Sequence, residues 1–158
     1  MEYLPSDLTD RERYKVLTSF VLPRPIAWVT TVGPTGVVNV VDEPLAQAMH
    51  ESSGDFPPEI GEPSYLGLKL APSSKIAVPR LADTPWAMEC KTWKIIDVNG
   101  DRVLVMGEGI NFYIRDELWD RDAMRVHMDR YHPVGRMFAD RYCRTDDRMV
   151  FPEAKGPK

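Results

Sequence analysis

Arg24 stands between two prolines, and that placement is the strongest chemical signal in the 158-residue sequence. Pro23 and Pro25 each fix their own φ and disfavour helix at the residue before them. The guanidinium is thereby held at the entrance to an alternating, β-branched run, residues 26–32, where it could meet an anion. Thr30 and Thr31 project hydroxyls from opposite faces of that run. Arg136 and Arg144 offer further planar forks of the kind that grip phosphate. Taken singly, each arginine reads as a surface salt bridge. Their conjunction with Trp28, Tyr131 and Tyr142 strengthens the anion reading, although a plain core position stays equally open for Trp28.

Other chemistries find less support. The three histidines are scattered, and His127 and His132 stand five apart with no HExxH or Cys/His pairing beside them, so they read as surface or packing residues. No GxSxG is present, and neither Cys90 nor Cys143 has a nearby base. Asp146 and Asp147 lie in a polar, arginine-rich stretch and read as solvated. Gly107-x-Gly109 falls inside a strand pattern, whereas a dinucleotide fingerprint needs a strand, a turn and a helix.

The elements that must position these residues follow from pattern. Thr9-Asp10-Arg11-Glu12 reads as a capping box opening a helix over about 10–19. Strands are expected over 26–32 and 37–41 with a turn at Gly33 to Gly36, then a helix entered through Asp42-Glu43-Pro44 with Asp42 as its N-cap. Residues 54–85 are rich in Pro, Ser and Gly and read as a long excursion with one short strand at 75–78. Strand 86–98, a hairpin at Asn99-Gly100 and a return strand 102–114 come next, with Gly107 and Gly109 marking a bulge or a close approach.

The length suits one domain, 1–158, and strands with few helices indicate an antiparallel barrel with small peripheral helices. A net charge of −4 gives no reason to expect nucleic acid or an anionic membrane as partner. Two distant cysteines suggest no disulfide and a reducing compartment, and no apolar run is long enough to cross a bilayer. The expectation is a soluble, cytoplasmic protein.

Three blocks of sequence carry a resemblance. The first runs from Tyr14-Lys15-Val16-Leu17-Thr18 into Pro23-Arg24-Pro25-Ile26-Ala27-Trp28 and on to Gly36-Val37-Val38-Asn39. The second runs from Ala46-Gln47-Ala48-Met49 through Phe56-Pro57-Pro58 and Val78-Pro79-Arg80-Leu81 to Met88-Glu89-Cys90. The third comprises Gly107-Glu108-Gly109, Ile114-Arg115-Asp116 and His132-Pro133-Val134-Gly135-Arg136. Together they resemble the flavin reductase-like family, the FMN-binding split β-barrel proteins.

The resemblance implies a mainly β, Greek-key split barrel that forms a homodimer and binds FMN near the dimer interface. It implies hydride transfer from NADH or NADPH to the flavin, with electrons passed onward. By the same resemblance Arg24, Trp28, Thr30, Thr31 and Asn39 belong near the flavin, and His132, Arg136 and Tyr142 at its rim or on the nicotinamide side. No residue is nominated as an acid–base catalyst and no metal is expected. A catalytically silent binding or dimerisation module on the same barrel is the alternative.

One departure stands out. The family pattern continues after a strand like Val37-Val38-Asn39 with two or three further strands and a helix, on the order of forty to fifty residues at mean element lengths. Here Asn39 runs directly into Val40-Val41-Asp42. Either the written sequence omits a segment between 39 and 42 or the polypeptide lacks it.

Overall fold

The computed structural model describes residues 9–12, 14, 15 and 23–151. Thr9 caps residues 10–12 as the spacing predicts: its hydroxyl and amide both bond the Glu12 carboxylate, and the Glu12 amide bonds back to the Thr9 hydroxyl. The expected end of that helix, beyond Lys15, lies outside the described residues.

The main sheet is antiparallel with strand order β1-β2-β5-β6. Its strands are β1 (Ala27–Val32), β2 (Thr35–Val40), β5 (Trp86–Asp97) and β6 (Val103–Ile114). Three two-stranded ribbons surround it: β3 (Leu70–Ala71) with β4 (Arg80–Leu81), β7 (Trp119–Asp120) with β8 (Arg125–Val126), and β9 (Val134–Arg136) with β10 (Tyr142–Arg144). Short helices at Ala46–Glu51 and Glu62–Tyr65 lie at the periphery, so the fold is mainly β as expected.

Several local expectations need correction. The first turn is tighter than 33–36, because Thr35 already pairs with Val32 and Gly33 supplies the left-handed φ of +56°. The 75–78 strand is absent: the amides of Ser74 and Lys75 donate to the Glu89 carboxylate instead of to a neighbouring strand. Asp42 does stand at the N-cap of the turn Glu43–Leu45 as expected, but its side chain makes no capping bond and turns instead to Arg115 at 3.1 Å. The long hairpin closes through a wider loop than Asn99-Gly100 alone, with the Val98 amide bonded to the Arg102 carbonyl. The bulges at the glycines are real. Register shifts fall between Glu89 and Cys90 and between Thr92 and Lys94, opposite Gly109 and Gly107.

The two faces of the sheet differ. One face presents Trp28, Thr30, Val37, Asn39, Ala87, Glu89, Asn111 and Tyr113, and the segment 72–81 folds over it. Val37, Val78 and Ala87 form its buried core, and the Arg80 guanidinium lies 3.5 Å from the Tyr113 ring centre. Glu89, only 3% exposed, fastens the cover: it accepts Ser74 N–H at 2.8 Å, Lys75 N–H at 2.7 Å and Asn111 Nδ2–H at 2.8 Å. The opposite face presents Val29, Val38, Val40, Trp86, Met88, Phe112 and Ile114, and none of these is fully buried. A second core, Val41, Leu45, Met49 and Val134, joins the first short helix to β9, with Trp28 and Tyr142 packed against it. Each fully buried aliphatic side chain of this kind contributes roughly 1.5–3 kcal/mol.

Candidate functional site

The Pro-Arg-Pro corner docks onto β9. Arg24 and Arg136 exchange backbone hydrogen bonds of 3.0 and 2.9 Å, so the two arginines are cross-strand partners. Glycine at 135 is what allows the approach, since a Cβ there would stand 2.6 Å from Pro23 Cβ and 3.0 Å from Cys143 Sγ. Arg24 Nη2 donates to the Met137 carbonyl at 2.8 Å, and its Nε is buried without a partner. Arg136 donates to the Tyr142 hydroxyl at 3.1 Å and to the Ala139 carbonyl at 2.8 Å, and its guanidinium stands 5.4 Å from the Tyr142 ring centre. The Tyr142 hydroxyl also meets His50 Nδ1 at 3.0 Å.

Arg24, Arg136 and Tyr142 are therefore brought together, with His50 added from the helix Ala46–Glu51. Among the described residues neither guanidinium has a carboxylate partner, unlike Arg115, Arg121, Arg130 and Arg144. Two adjacent uncompensated cations, one with an idle buried donor, form an arrangement that suits a dianion such as a phosphate. His50 was not singled out by its spacing; it lies one residue beyond the Ala46-Gln47-Ala48-Met49 block, and only the helix docking brings it to Tyr142.

The other expected site residues fare differently. Trp28 packs on the second core beside Tyr142, and its carbonyl accepts Asn39 Nδ2–H at 3.0 Å. Asn39 is fully buried and takes Leu81 N–H on Oδ1 at 2.9 Å, so it pins β1, β2 and β4 together. Thr30 donates to the Pro79 carbonyl at 3.2 Å, and Thr31 lies on the other face of the sheet. His132 is exposed and pairs with Asp146 at 2.8 Å, so Asp146 is not simply solvated. Arg144 is held by Glu43 at 2.7 Å through Nε, which removes it as a free anion fork.

Two buried carboxylates show how the frame sets charge. Burial works to raise the pKa of Glu89, but the Ser74 and Lys75 amides and the Asn111 amide outweigh it and hold the carboxyl below its ordinary range. Asp42 behaves oppositely: burial dominates and raises it, against the attraction of Arg115. Burial and the nearby Asp42 charge together push the Tyr131 phenol up. Among the described residues no cluster of His, Cys, Asp and Glu could hold a metal, and no helix is long and apolar enough to cross a membrane.

With this geometry in place, known proteins can be set beside the chain. The crystal structure of a 2-nitrobenzoate 2-nitroreductase of Pseudomonas fluorescens superposes with a TM-score of 0.90 at 33% identity, covering 98% of this chain and 96% of that one. A split-barrel protein of flavin reductase type from Shewanella frigidimarina superposes at 0.78 and 15% identity over 98% and 100% of the two chains, a likeness of fold. A protein of Halalkalibacterium halodurans is 27% identical across 90% of this chain and 91% of its own. That alignment runs over 192 positions, yet 90% of 158 residues is about 142, so about 50 positions face gaps in this chain. The family model for the flavin reductase like domain matches residues 34–135, from the first turn through the buried Gly135 at the arginine corner. Fold and sequence thus agree along most of the molecule, and the chain belongs to the flavin reductase like domain family.

Proposed function

We propose that this protein is a flavin-linked oxidoreductase that holds FMN and passes it a hydride from NADH or NADPH. The observation that carries the reading is the Arg24–Arg136 pair: two cross-strand guanidiniums with no carboxylate partner among the described residues and a buried, idle Nε on Arg24. These residues fit the phosphate end of the cofactor. Arg24 and Arg136 would hold it, Tyr142 orients Arg136 through its hydroxyl, and His50 steadies that hydroxyl from the other side. FMN, when bound, supplies the redox chemistry, so the protein's part is to bind, orient and leave one ring face accessible.

Titrating purified protein with FMN tests the reading: bound FMN is expected to lose fluorescence, and the loaded protein to oxidise NADH or NADPH. Arg24→Ala is expected to weaken uptake by about tenfold or more, as loss of one charge-assisted contact does. Unchanged affinity would remove Arg24 from the site.

A catalytically silent module is the second reading, and one observation favours it. Thr30 and Asn39, two of the polar residues the resemblance places near the flavin, are engaged inside the protein. We place the roughly 50 unmatched positions at the Asn39–Asp42 join, where the chain passes from β2 straight to the first short helix. An intact mass separates a truly short chain, near 18.0 kDa, from one carrying the block. The far half of the β5–β6 hairpin is exposed and apolar at Trp93, Ile95, Val98, Val103, Leu104 and Val105, which supports a homodimer with a second copy covering that ribbon. Light scattering on the native protein and on Leu104→Lys tests this; a monomer in both cases rules it out. A cytoplasmic location fits the free state of Cys90 and Cys143.

A further inference from the structure

The open side of the sheet carries a cleft that the flavin reading does not use. Its volume is about 550 Å3, and its walls include Trp86, Phe112, Ile114, Trp119, Met124 and Tyr131. Trp86 and Phe112 stack across β5 and β6 with centroids 5.9 Å apart and planes 20° from parallel. Near-parallel rings in a wall favour a flat guest, because it can stack offset on the same surface. Volume and apolar lining both lie in the range of small-molecule sites.

Charge decides which flat guest. Among the described residues no charged side chain lines the cleft. The arginines beside it already face carboxylates: Arg115 faces Asp42 at 3.1 Å and Glu117 at 3.3 Å, and Arg121 faces Asp116 at 3.2 Å. Arg125 stands opposite Asp120 in the β7–β8 register and acts on it electrostatically. On the Tyr131 side the Asp42 charge acts on the phenol, and the Arg148 guanidinium is taken up by the Thr145, Met128 and Tyr131 carbonyls. A carboxylate entering here would leave water for an apolar wall with no free cation among the described residues to receive it.

We propose that this cleft binds a flat, uncharged aromatic molecule and rejects the same ring bearing a carboxylate. The inference concerns this cleft alone and stands whether or not FMN occupies the arginine corner.

Calorimetric titration of the purified protein with 2-nitrotoluene and with 2-nitrobenzoate tests it. The two rings share the nitro group and differ in a methyl for a carboxylate. The neutral ring is expected to bind at least ~10-fold tighter, given the cost of burying an unpaired carboxylate. Met124 is 72% exposed at the lip, so Met124→Arg adds a cation without disturbing the core and should narrow or reverse that ratio. Trp119→Ala should weaken both ligands. Equal affinities, tighter binding of 2-nitrobenzoate to the unaltered protein, no binding of either, or an unchanged ratio in Met124→Arg would each overturn the proposal. FMN uptake by the same preparation keeps this failure apart from failure of the flavin reading.

Discussion

The covered and open faces of the central sheet belong to the same four strands, yet they obey different rules. On the covered face the buried polar side chains are answered: Asn39 bonds Trp28 and Leu81, and Glu89 gathers three N–H donors. On the open face Val29 is 54% and Phe112 60% exposed, and the side chains are mainly apolar, with Thr31 at the edge strand. Rigidity here therefore comes from the hydrogen-bonded side, while the apolar side is left to accept something else. An apolar surface can bind a guest or a second chain at little cost, whereas a buried polar network tolerates only the partners it was built for.

Mutations can break that contrast. The largest effect is expected at Glu89, where Glu89→Ala strands three part-buried donors and should lower stability by roughly 3–4 kcal/mol in urea unfolding. The same residue sets a pH dependence. Its folded pKa is held below the ordinary 4.5, so its stabilising contribution is full above that value and is lost as pH falls through the folded pKa. Glu89→Gln should flatten the acid limb of a stability-against-pH curve; an unchanged limb would assign acid unfolding to other groups. Asn39→Ala comes next, with an expected loss of about 2–3 kcal/mol from two unanswered backbone groups. Gly135→Ala forces a Cβ against Pro23 and should cost about 1–3 kcal/mol. It should also weaken FMN uptake by pushing Arg24 and Arg136 apart. The smallest effect belongs to the open face, where Val29→Thr should change stability by less than ~0.5 kcal/mol. A loss as large as that of Asn39→Ala would show that this face is covered in solution.

Much of the frame was legible in the chain. The Thr9–Glu12 capping box, the alternation of Ala27–Val32 and the bulges at Gly107 and Gly109 all rest on interactions between near neighbours or on backbone freedom, which local sequence carries. The segment 75–78 was misread because its apolar spacing looks like a strand. The Lys75 amide, with that of Ser74 just before the segment, found a carboxylate fourteen and fifteen residues away, and no local pattern encodes that. Asp42 takes the N-cap position its residue type suggests, but its side chain is claimed by Arg115, a partner no local pattern announces.

The candidate site divides along the same line. Residue types and proline constraints alone determined that Arg24 would stand rigidly at a strand entrance, because φ restriction is a property of the chain itself. Which arginine would face it was decided by tertiary structure. Arg136 and Arg144 are equivalent as sequence, yet β9 pairs one with Arg24 and β10 turns the other to Glu43. The same holds for the polar residues of β1 and β2. Alternation assigns Thr30 and Asn39 to one face, but only the packing of segment 72–81 determines that this face is sealed and that the apolar face opposite stays open. Strand periodicity is local, while what covers a strand depends on residues forty positions further along the chain.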